Sequence, residues 1–197
     1  MIKIYIANIS YFRNIDLYSI ENLDIITDSR KKRVQDFKRI DDKLRCFVAG
    51  LMLNYVCNVT NDNQIFYNKN NKPYLKNSNI YFNISHSGDY VVLAIADKEI
   101  GIDIEEIAPI SDSVAKKVFT KEENLWLLKQ NNLEAFYKLW TAKESIMKVT
   151  GEGFMLVPNT FSVLPIETGI HNILDNYYFL DWMVYGNYVI CVSFPHS

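Results

Sequence analysis

The sequence predicts an α+β fold made of two similar halves that meet near residues 97–100. In each half the same order recurs along the chain, namely a strand, then helices, then further strands. The 197 residues are 49% hydrophobic and include 13 Tyr, 11 Phe and 3 Trp. This is enough apolar material for one large domain or two small ones, although no residue-level repeat marks the duplication.

The first half opens with a strand and continues into helices. Residues 2–9 alternate apolar and polar side chains and lack the basic and long apolar parts of a signal peptide. The charged segment 28–45 predicts a helix with Asp28 or Ser29 as its N-cap. The mostly apolar segment 46–59 predicts a second helix directly after it.

Short apolar segments predict the strands in the middle of the chain. They are rich in β-branched and aromatic residues and lie between polar turns, a pattern typical of strands. One of these turns contains Ser85 and His86, and another is formed by Asp97 and Lys98. The predicted strands are 65–67, 80–84, 90–96 and 100–105.

Helices and then a hairpin complete the second half. The helical segments alternate apolar and charged residues at helical spacing. Gly186 and Asn187 suit the tight turn between the last two strands, and His171 is predicted to lie in a loop. The predicted elements are helices at 112–130 and 132–149 and strands at 177–185 and 188–194.

Composition and charge exclude several classes of function. The formal net charge is −2, so the chain as a whole does not attract nucleic acid, and no aromatic-interleaved basic stripe is present. No apolar run is long enough to span a membrane. The three cysteines, Cys46, Cys57 and Cys191, are widely spaced among apolar neighbours, which predicts buried thiols in a reducing, cytoplasmic setting.

One predicted strand, 100–105, carries two carboxylates on a single face. Side chains alternate along a strand, so its three isoleucines share one face while Gly101, Asp103 and Glu105 share the other. Neighbouring carboxylates repel each other unless a cation lies between them, and oxygen ligands suit Mg²⁺ or Mn²⁺. The alternative is an edge strand whose polar face is hydrated. Gly101 favours the ligand site, because glycine lets a ligand or backbone approach closely.

The helix predicted at 132–149 adds a third carboxylate. Glu144 and Lys148 lie four residues apart on a polar stripe that also holds Tyr137 and Thr141. An ordinary helix ion pair explains the spacing of Glu144 and Lys148. If the helix packs against the carboxylate strand, Glu144 supplies a further metal ligand or a general base, and Lys148 contacts a phosphate or leaving group. The apolar stripe of this helix contains Phe136, Leu139, Trp140, Ile146 and Met147.

Two further features suggest that the chain binds anions. Ser85 and His86 follow an apolar strand, and the backbone of their turn can form an anion-binding nest. A plain polar turn and a Ser-His nucleophile pair are the alternatives, but adjacent strand residues point to opposite faces, which argues against the pair. A basic run marks the first helix, and it either faces solvent or docks phosphates or an acidic protein partner. Its members are Arg30, Lys31, Lys32, Arg33, Lys38, Arg39, Lys43 and Arg45.

Three segments together carry a resemblance to a known family. They are FNISHSGDYVVLAI, IGIDIE and FYKLWTAKESIMKVTGEG, in this order. The D-x-E pair and, about forty residues later, the W-x-x-K-E-x-x-x-K helix resemble the signature of the Sfp-type 4'-phosphopantetheinyl transferases. Upstream, SRKKRVQDF, Arg45 and NKPY are similar to the family's basic segment, its arginine and its G-K-P motif. Asn71 replaces the usual glycine of that motif, and arginines stand at positions 30 and 33 where lysine is common.

The resemblance implies a set of site residues. Asp103, Glu105 and Glu144 are implied to hold Mg²⁺, with Mn²⁺ as an alternative, and Glu144 and Lys148 to be catalytic. His86 and the basic residues of the first helices are implied to lie near the 3'-phosphate of coenzyme A. The residues implied to contact coenzyme A are Arg30, Arg33, Arg45, Lys72, Ser85, His86, Asp103 and Lys148.

The resemblance also implies an architecture and an activity. The implied fold is a monomer of two α+β subdomains, 1–98 and 99–197, related by a pseudo-twofold axis, with the active site in the cleft between them. The implied enzyme transfers the 4'-phosphopantetheine group of coenzyme A to a serine of an apo acyl or peptidyl carrier protein and releases 3',5'-ADP. Fatty-acid, polyketide and nonribosomal peptide synthesis all use such carriers. Two other classes stay open, a metal-dependent phosphodiesterase or nuclease and a non-catalytic coenzyme A-binding module.

Overall fold

The computed structural model describes residues 1–17, 19 and 24–196, apart from the side chains of Asp112 and Phe154, and this part of the chain has an α+β fold. Its helices are α1 (Asp28–Asp36), α2 (Ile40–Cys57), α3 (Asp112–Val118), α4 (Lys121–Gln130) and α5 (Leu133–Thr150). Its strands are β1 (Lys3–Asn8), β2 (Ile65–Tyr67), β3 (Pro73–Leu75), β4 (Tyr81–Ser87), β5 (Tyr90–Ala96), β6 (Gly101–Glu106), β7 (Gly169–Ile173), β8 (Asn176–Tyr185) and β9 (Tyr188–Pro195). None of the helices described is long and apolar enough to cross a membrane.

The strands form three antiparallel sheets. The first sheet has the order β1-β5-β4, the second is the small hairpin β2-β3, and the third has the order β6-β9-β8-β7. In the third sheet, Asp103 lies opposite Cys191 and Glu105 lies opposite Val189. The other edge of β6 faces β4 of the first sheet, so the two larger sheets meet along these two strands.

The single charged helix predicted over 28–45 is wrong, because two helices occupy this segment. α1 ends at Asp36, the backbones of Phe37 and Arg39 are extended, and α2 begins at Ile40. Phe37 packs against the same hydrophobic core as α1 and α2, so tertiary packing makes this break without a glycine or proline. The N-cap is Thr27, and Asp28 lies in the first turn, where its charge interacts favourably with the helix dipole.

The helix predicted over 112–130 is also two helices. α3 ends at Val118 and α4 begins after Thr120. Thr120 and Glu123 form a capping box, in which each side chain accepts a hydrogen bond from the backbone N–H of the other residue. The capping box starts a new helix at Lys121, although the apolar periodicity alone predicts that one helix continues through this point.

Two predictions about local structure in the strands are also wrong. β4 extends to Ser87, so Ser85 and His86 lie in a strand, and the turn begins at Gly88, whose φ is +50°. His171 lies in β7 and is buried, where the sequence predicts a loop. The short strand at 65–67 and the hairpin turn between β8 and β9 are confirmed.

Each half of the chain has a hydrophobic core, and a third apolar layer joins the halves. The first core packs α2 against β5, with Phe47 and Leu93 buried. The second packs α5 against β8 and β9, with Leu139 and Leu180 buried. Between them, the isoleucines of β6 pack with the alternate side chains of β5, such as Val92. Apolar packing on one face therefore fixes the strand that carries the carboxylates on its other face.

The two stripes predicted for α5 have different outcomes. The apolar stripe is confirmed, because its members lie in the second core or pack against it. The polar stripe is wrong for Tyr137 and Thr141, which are buried. The hydroxyl of Tyr137 donates to the carbonyl of Ala108, and that of Thr141 donates to the carbonyl of Tyr137. Because these hydroxyls have backbone acceptors, the two side chains can lie in the core.

Candidate active site

Asp103 and Glu105 project from β6 toward α5. The helix can approach the strand because residue 101 is glycine: a Cβ atom placed there would lie 2.0 Å from the carbonyl oxygen of Ser145. The predicted alternation of this strand is confirmed, since Ile102 and Ile104 are buried on the opposite face, together with Ile100 just before the strand. The close contact at Gly101 brings Glu144 and Lys148, which lie on the same helix, to the carboxylates of β6.

Asp103 is buried and lies at the centre of a hydrogen-bonded cluster. Its Oδ1 accepts a hydrogen bond from Lys148 Nζ at 2.6 Å and another from Ser85 Oγ at 2.7 Å. Lys148 Nζ also donates to Ser85 Oγ at 2.9 Å and to the carbonyl oxygen of Ile102 at 3.2 Å. The second oxygen, Oδ2, is buried without a hydrogen-bond partner. A buried carboxylate oxygen in this state is available to a ligand.

Glu105 is held by one donor on each of its two oxygens. Trp140 Nε1, from α5, donates to Oε1 at 3.2 Å, and Ser87 Oγ, from β4, donates to Oε2 at 2.9 Å. Burial and the negative charge of Asp103 together raise the pKa of the Glu105 carboxyl. The carboxylate is thus oriented by two different elements and destabilised by its acidic neighbour.

Glu144 completes a group of three carboxylates. Burial and the charge of Asp103 raise the pKa of Glu144, while the nearby ammonium of Lys148 partly opposes this shift. The simple ion pair that the four-residue spacing allows between Glu144 and Lys148 is not formed, because Lys148 bonds Asp103. The helix therefore brings one carboxylate and one cation to the face of β6.

The chemistry of this group fits a divalent cation of the magnesium type. All three side chains offer hard oxygen ligands, burial and the charge of Asp103 raise the pKa of both Glu105 and Glu144, and Oδ2 of Asp103 has no hydrogen-bond partner. Among the described residues, however, no three Asp, Glu, His or Cys side chains stand in an arrangement already shaped to coordinate a metal. The donor set therefore supports a metal site, and the coordination itself remains a proposal.

A basic cavity of about 240 Å³ lies beside this cluster. It brings together four residues that the sequence implicates in binding coenzyme A, from α1, α2 and β4. Burial lowers the pKa of Arg30, whose guanidinium donates to the carbonyl of Cys46. The lining residues are Arg30, Arg33, Phe37, Asp42, Arg45, Cys46, Ala49, Ile84 and His86.

Arg45 and His86 link this cavity to the turn after β4. Arg45 donates to the carbonyl of Gly88 at 2.6 Å and to Asp42 Oδ1 at 2.5 Å. Partial dehydration in the cavity, followed by the positive charge of Arg45, lowers the pKa of His86. The concentration of positive charge that weakens protonation of His86 is also the field that would favour an anion.

Lys72 and Asn71 lie apart from the basic cavity. The ammonium of Lys72 pairs with Glu99 and also donates to the carbonyl of Val149 at 3.1 Å, near the end of α5. Asn71 has a φ of +64°, a left-handed conformation that asparagine adopts more readily than most residues. This explains how asparagine can occupy the position that is usually glycine in the motif. Lys72 and Lys148 line a small cavity of about 160 Å³, which is separate from the cavity of Arg30.

A buried ion pair beneath the site could not be found from the sequence pattern. Lys143, next to Glu144, is fully buried and pairs with the equally buried Glu123 of α4 at 2.8 Å. The ammonium also donates to the carbonyls of Pro158 and Phe161, and Glu123 Oε1 accepts from the backbone N–H of Val163. The sequence shows the capping box of Glu123 and the first lysine of the W-x-x-K-E-x-x-x-K motif, but neither indicates that the two side chains are buried and paired. The pair ties α4 and the segment after α5 to the helix that carries Glu144.

Comparison with known proteins finds one family for both halves of the chain. A family model described as "4'-phosphopantetheinyl transferase superfamily" matches residues 99–193, and one described as "4'-phosphopantetheinyl transferase, N-terminal" matches residues 19–98. A provisionally named 4'-phosphopantetheinyl transferase of Haemophilus influenzae is 31% identical over 158 residues, which are 72% of this chain and 67% of that protein. This chain belongs to the 4'-phosphopantetheinyl transferase family.

Two other relatives place the chain within the Sfp-type 4'-phosphopantetheinyl transferases. The 4'-phosphopantetheinyl transferase Sfp of Bacillus subtilis is 46% identical over 86 residues, or 42% of this chain and 38% of that protein. The transferase gsp of Aneurinibacillus migulanus is 35% identical over 142 residues, or 66% of this chain and 60% of that protein. The chain thus spans less than two thirds of the length of both relatives, while its fold is the α+β fold of the transferase family.

Proposed function

We propose that this protein transfers the 4'-phosphopantetheine group of coenzyme A to a serine of an apo carrier protein and releases 3',5'-ADP. The observation that carries this proposal is the position of β4. One face of this strand supplies His86 to the basic cavity, and the other supplies Ser85 to the Asp103–Lys148 cluster. A ligand with phosphates at two separate places can use both sites, and coenzyme A has a 3'-phosphate and a pyrophosphate.

In this proposal the basic cavity binds the 3'-phosphate. Arg30, Arg33 and Arg45 supply fixed positive charge, and His86 can gain a proton when a phosphate dianion enters. Lys72 lies beside the second, smaller cavity together with Lys148, where it can contact another part of the coenzyme. Support comes from the convergence of these cationic side chains, which belong to different elements of the fold.

Asp103, Glu105 and Glu144 would hold the Mg²⁺ ion of the reaction, with Mn²⁺ as an alternative. When bound, the cation neutralises charge on the pyrophosphate and so makes the phosphorus easier to attack. Lys148, which already lies at Asp103, would stabilise the charge that develops on the leaving 3',5'-ADP. The hydroxyl of Ser85 donates to Asp103 and accepts from Lys148, so it fixes the positions of both side chains.

Glu144 is the general base in the proposed transfer step. Its carboxylate lies close to Asp103 and Lys148, so Glu144 would take the proton of the carrier serine hydroxyl. The serine oxygen forms a bond to the β-phosphorus of coenzyme A, and the bond from this phosphorus to the oxygen of 3',5'-ADP breaks. The electron pair of the broken bond stays on that oxygen, next to Lys148.

The wider setting of the reaction is part of the same proposal. The site lies where the two larger sheets meet, which supports two subdomains with boundaries at 1–98 and 99–197 in a monomer. The two family models meet at the same position. The free cysteines suit the cytoplasm, where acyl and peptidyl carriers for fatty-acid, polyketide or nonribosomal peptide synthesis are the expected partners.

The deciding experiment is the intact mass of an apo carrier protein after incubation with this protein, coenzyme A and Mg²⁺. We expect a gain of one phosphopantetheine group, no gain with EDTA, and recovery when excess Mg²⁺ follows the chelator. A coenzyme A that is cleaved without any carrier would favour a phosphodiesterase. Coenzyme A binding without transfer to several acyl and peptidyl carriers would favour a non-catalytic binding module.

The basic cavity makes a separate prediction about the 3'-phosphate. We expect Arg33→Gln to raise the KM for coenzyme A about tenfold, since one charged hydrogen bond contributes on the order of 1.4 kcal/mol. The KM for dephospho-coenzyme A, which lacks the 3'-phosphate, should not change. Lys32→Gln is the matched control, because Lys32 is an exposed cation beside Arg33 that does not line the cavity. Equal losses with both coenzymes would contradict the assignment.

A further inference from the structure

The edge of β6 that faces β4 is closed by side chains. β6 pairs through its backbone with β9 on one edge. On the other edge, the N–H of Ile102 donates to Asn83 Oδ1 at 2.9 Å, and the N–H of Glu106 donates to Ser87 Oγ at 3.1 Å. The N–H of Ile102 is buried and so needs a partner, whereas that of Glu106 is exposed; β4 provides a side-chain acceptor for each.

The same face of β4 also contacts the carboxylates of β6. Asn83, Ser85 and Ser87 are two residues apart from one another, so they point to the same side of the strand. We name these three residues the polar seam. Ser85 Oγ donates to Asp103 Oδ1, and Ser87 Oγ donates to Glu105 Oε2. The polar seam thus bonds both the backbone of β6 and the side chains of Asp103 and Glu105.

Ser87 has two tasks that a single hydroxyl can perform together. It has one proton, which it gives to Glu105, and its lone pairs accept the hydrogen bond from the N–H of Glu106. Without this hydroxyl, both of these groups lose a partner. Trp140 would still hold the other oxygen of Glu105, but a carboxylate with one anchor can rotate about that bond.

The opposite face of β4 lines the basic cavity, so the position of this strand affects both sites. Ile84 and His86 alternate with the residues of the polar seam and line the basic cavity. A shift of β4 along β6 would therefore move the cavity relative to the carboxylates. The Asn83 bond to Ile102 and the Ser87 bond to Glu106 fix this register at two points that are four residues apart on each strand.

We infer that Asn83 and Ser87 are positioning residues of the transferase, and that Ser87 orients Glu105 for the divalent cation. This inference rests on the proposed function, because it assigns the cation to the three carboxylates. Groups that hydrogen-bond metal ligands orient them, and their loss commonly weakens metal binding by roughly 10–100-fold. Neither residue is in contact with the basic cavity.

The test compares Ser87→Ala and Ser87→Cys with the conservative variant Ser87→Thr. Mn²⁺ is the probe, and free Mn²⁺ is measured by electron paramagnetic resonance with coenzyme A present. We expect about tenfold weaker Mn²⁺ binding in the Ala and Cys variants and affinity close to wild type with Thr, which keeps the hydroxyl. Affinity for coenzyme A in EDTA should stay within about twofold of wild type. Ser78→Ala, an exposed serine in the turn before β4, is the matched control.

Hydrogen exchange at the Glu106 amide gives an independent readout of the polar seam. We expect faster exchange at Glu106 in Ser87→Ala, and no change at Ile102, whose partner Asn83 is intact. Unchanged Mn²⁺ affinity in both Ser87→Ala and Ser87→Cys would overturn the inference while the proposed function stands. A wild-type protein that binds no Mn²⁺ and transfers no phosphopantetheine would remove both.

Discussion

Glu144→Gln is expected to lower the rate of phosphopantetheine transfer by about 10³-fold and to leave the fold intact. The amide has nearly the shape of the carboxylate but cannot accept the serine proton or contribute a negative charge to a cation, and a general base alone contributes on the order of 10²–10⁴-fold. The intact-mass assay of a carrier protein under single-turnover conditions measures this rate directly. A correctly folded variant with the wild-type rate would contradict the roles of Glu144.

The melting temperature of the Glu144→Gln variant is a second prediction, independent of the transfer rate. The pKa of Glu144 is raised in the folded state, so ionisation costs stability above that pKa, and the cost fades as pH falls toward the unfolded value. At neutral pH without metal, the variant should therefore melt at the same temperature as wild type or higher. Added Mg²⁺ with coenzyme A should raise the melting temperature of wild type and have less effect on the variant. A lower melting temperature in the variant would show that Glu144 has a structural role.

Much of the fold could be predicted because it depends on local periodicity. The alternation in 100–105 was enough to place Asp103 and Glu105 on one face, and the apolar stripe of α5 marked its buried side. The breaks at Phe37 and Thr120 escaped the same reasoning for different reasons. The capping box at Thr120 is visible in the sequence as T-x-x-E, whereas the break at Phe37 depends on how α1 and α2 pack on one core.

The candidate site was predictable as a set of residue types and less so as a set of contacts. The spacing of Glu144 and Lys148 suggested a pair within the helix, but the approach of α5 at Gly101 gives Lys148 a better partner in Asp103. The residues of the polar seam alternate visibly in the sequence, but this alternation does not show that β4 meets β6 through side chains. The burial of Lys143 was equally hidden, since nothing in the sequence around Glu144 indicates that the neighbouring lysine is fully buried.

Lys143→Met is expected to lower the free energy of unfolding by about 3–5 kcal/mol, the cost typical of breaking a buried ion pair by removing one partner. The variant leaves the carboxylate of Glu123 buried without its counter-charge and frees the carbonyls of Pro158 and Phe161. Urea unfolding followed by circular dichroism measures this change. The loss should appear at neutral pH.

Two control variants separate the effect of burial from the effect of charge in this prediction. Lys138→Met removes a lysine from the same helix whose partner, Glu134, lies at 2.7 Å but is partly exposed, so it should cost less than about 1 kcal/mol. Adding Glu123→Gln to Lys143→Met removes the uncompensated charge and should recover part of the lost stability. Equal costs for Lys143→Met and Lys138→Met would show that the buried pair does not hold α4 and the segment after α5 against α5. A larger loss of stability in Lys143→Met, partly recovered in the double variant, would show that this buried ion pair stabilises the part of α5 that carries Glu144.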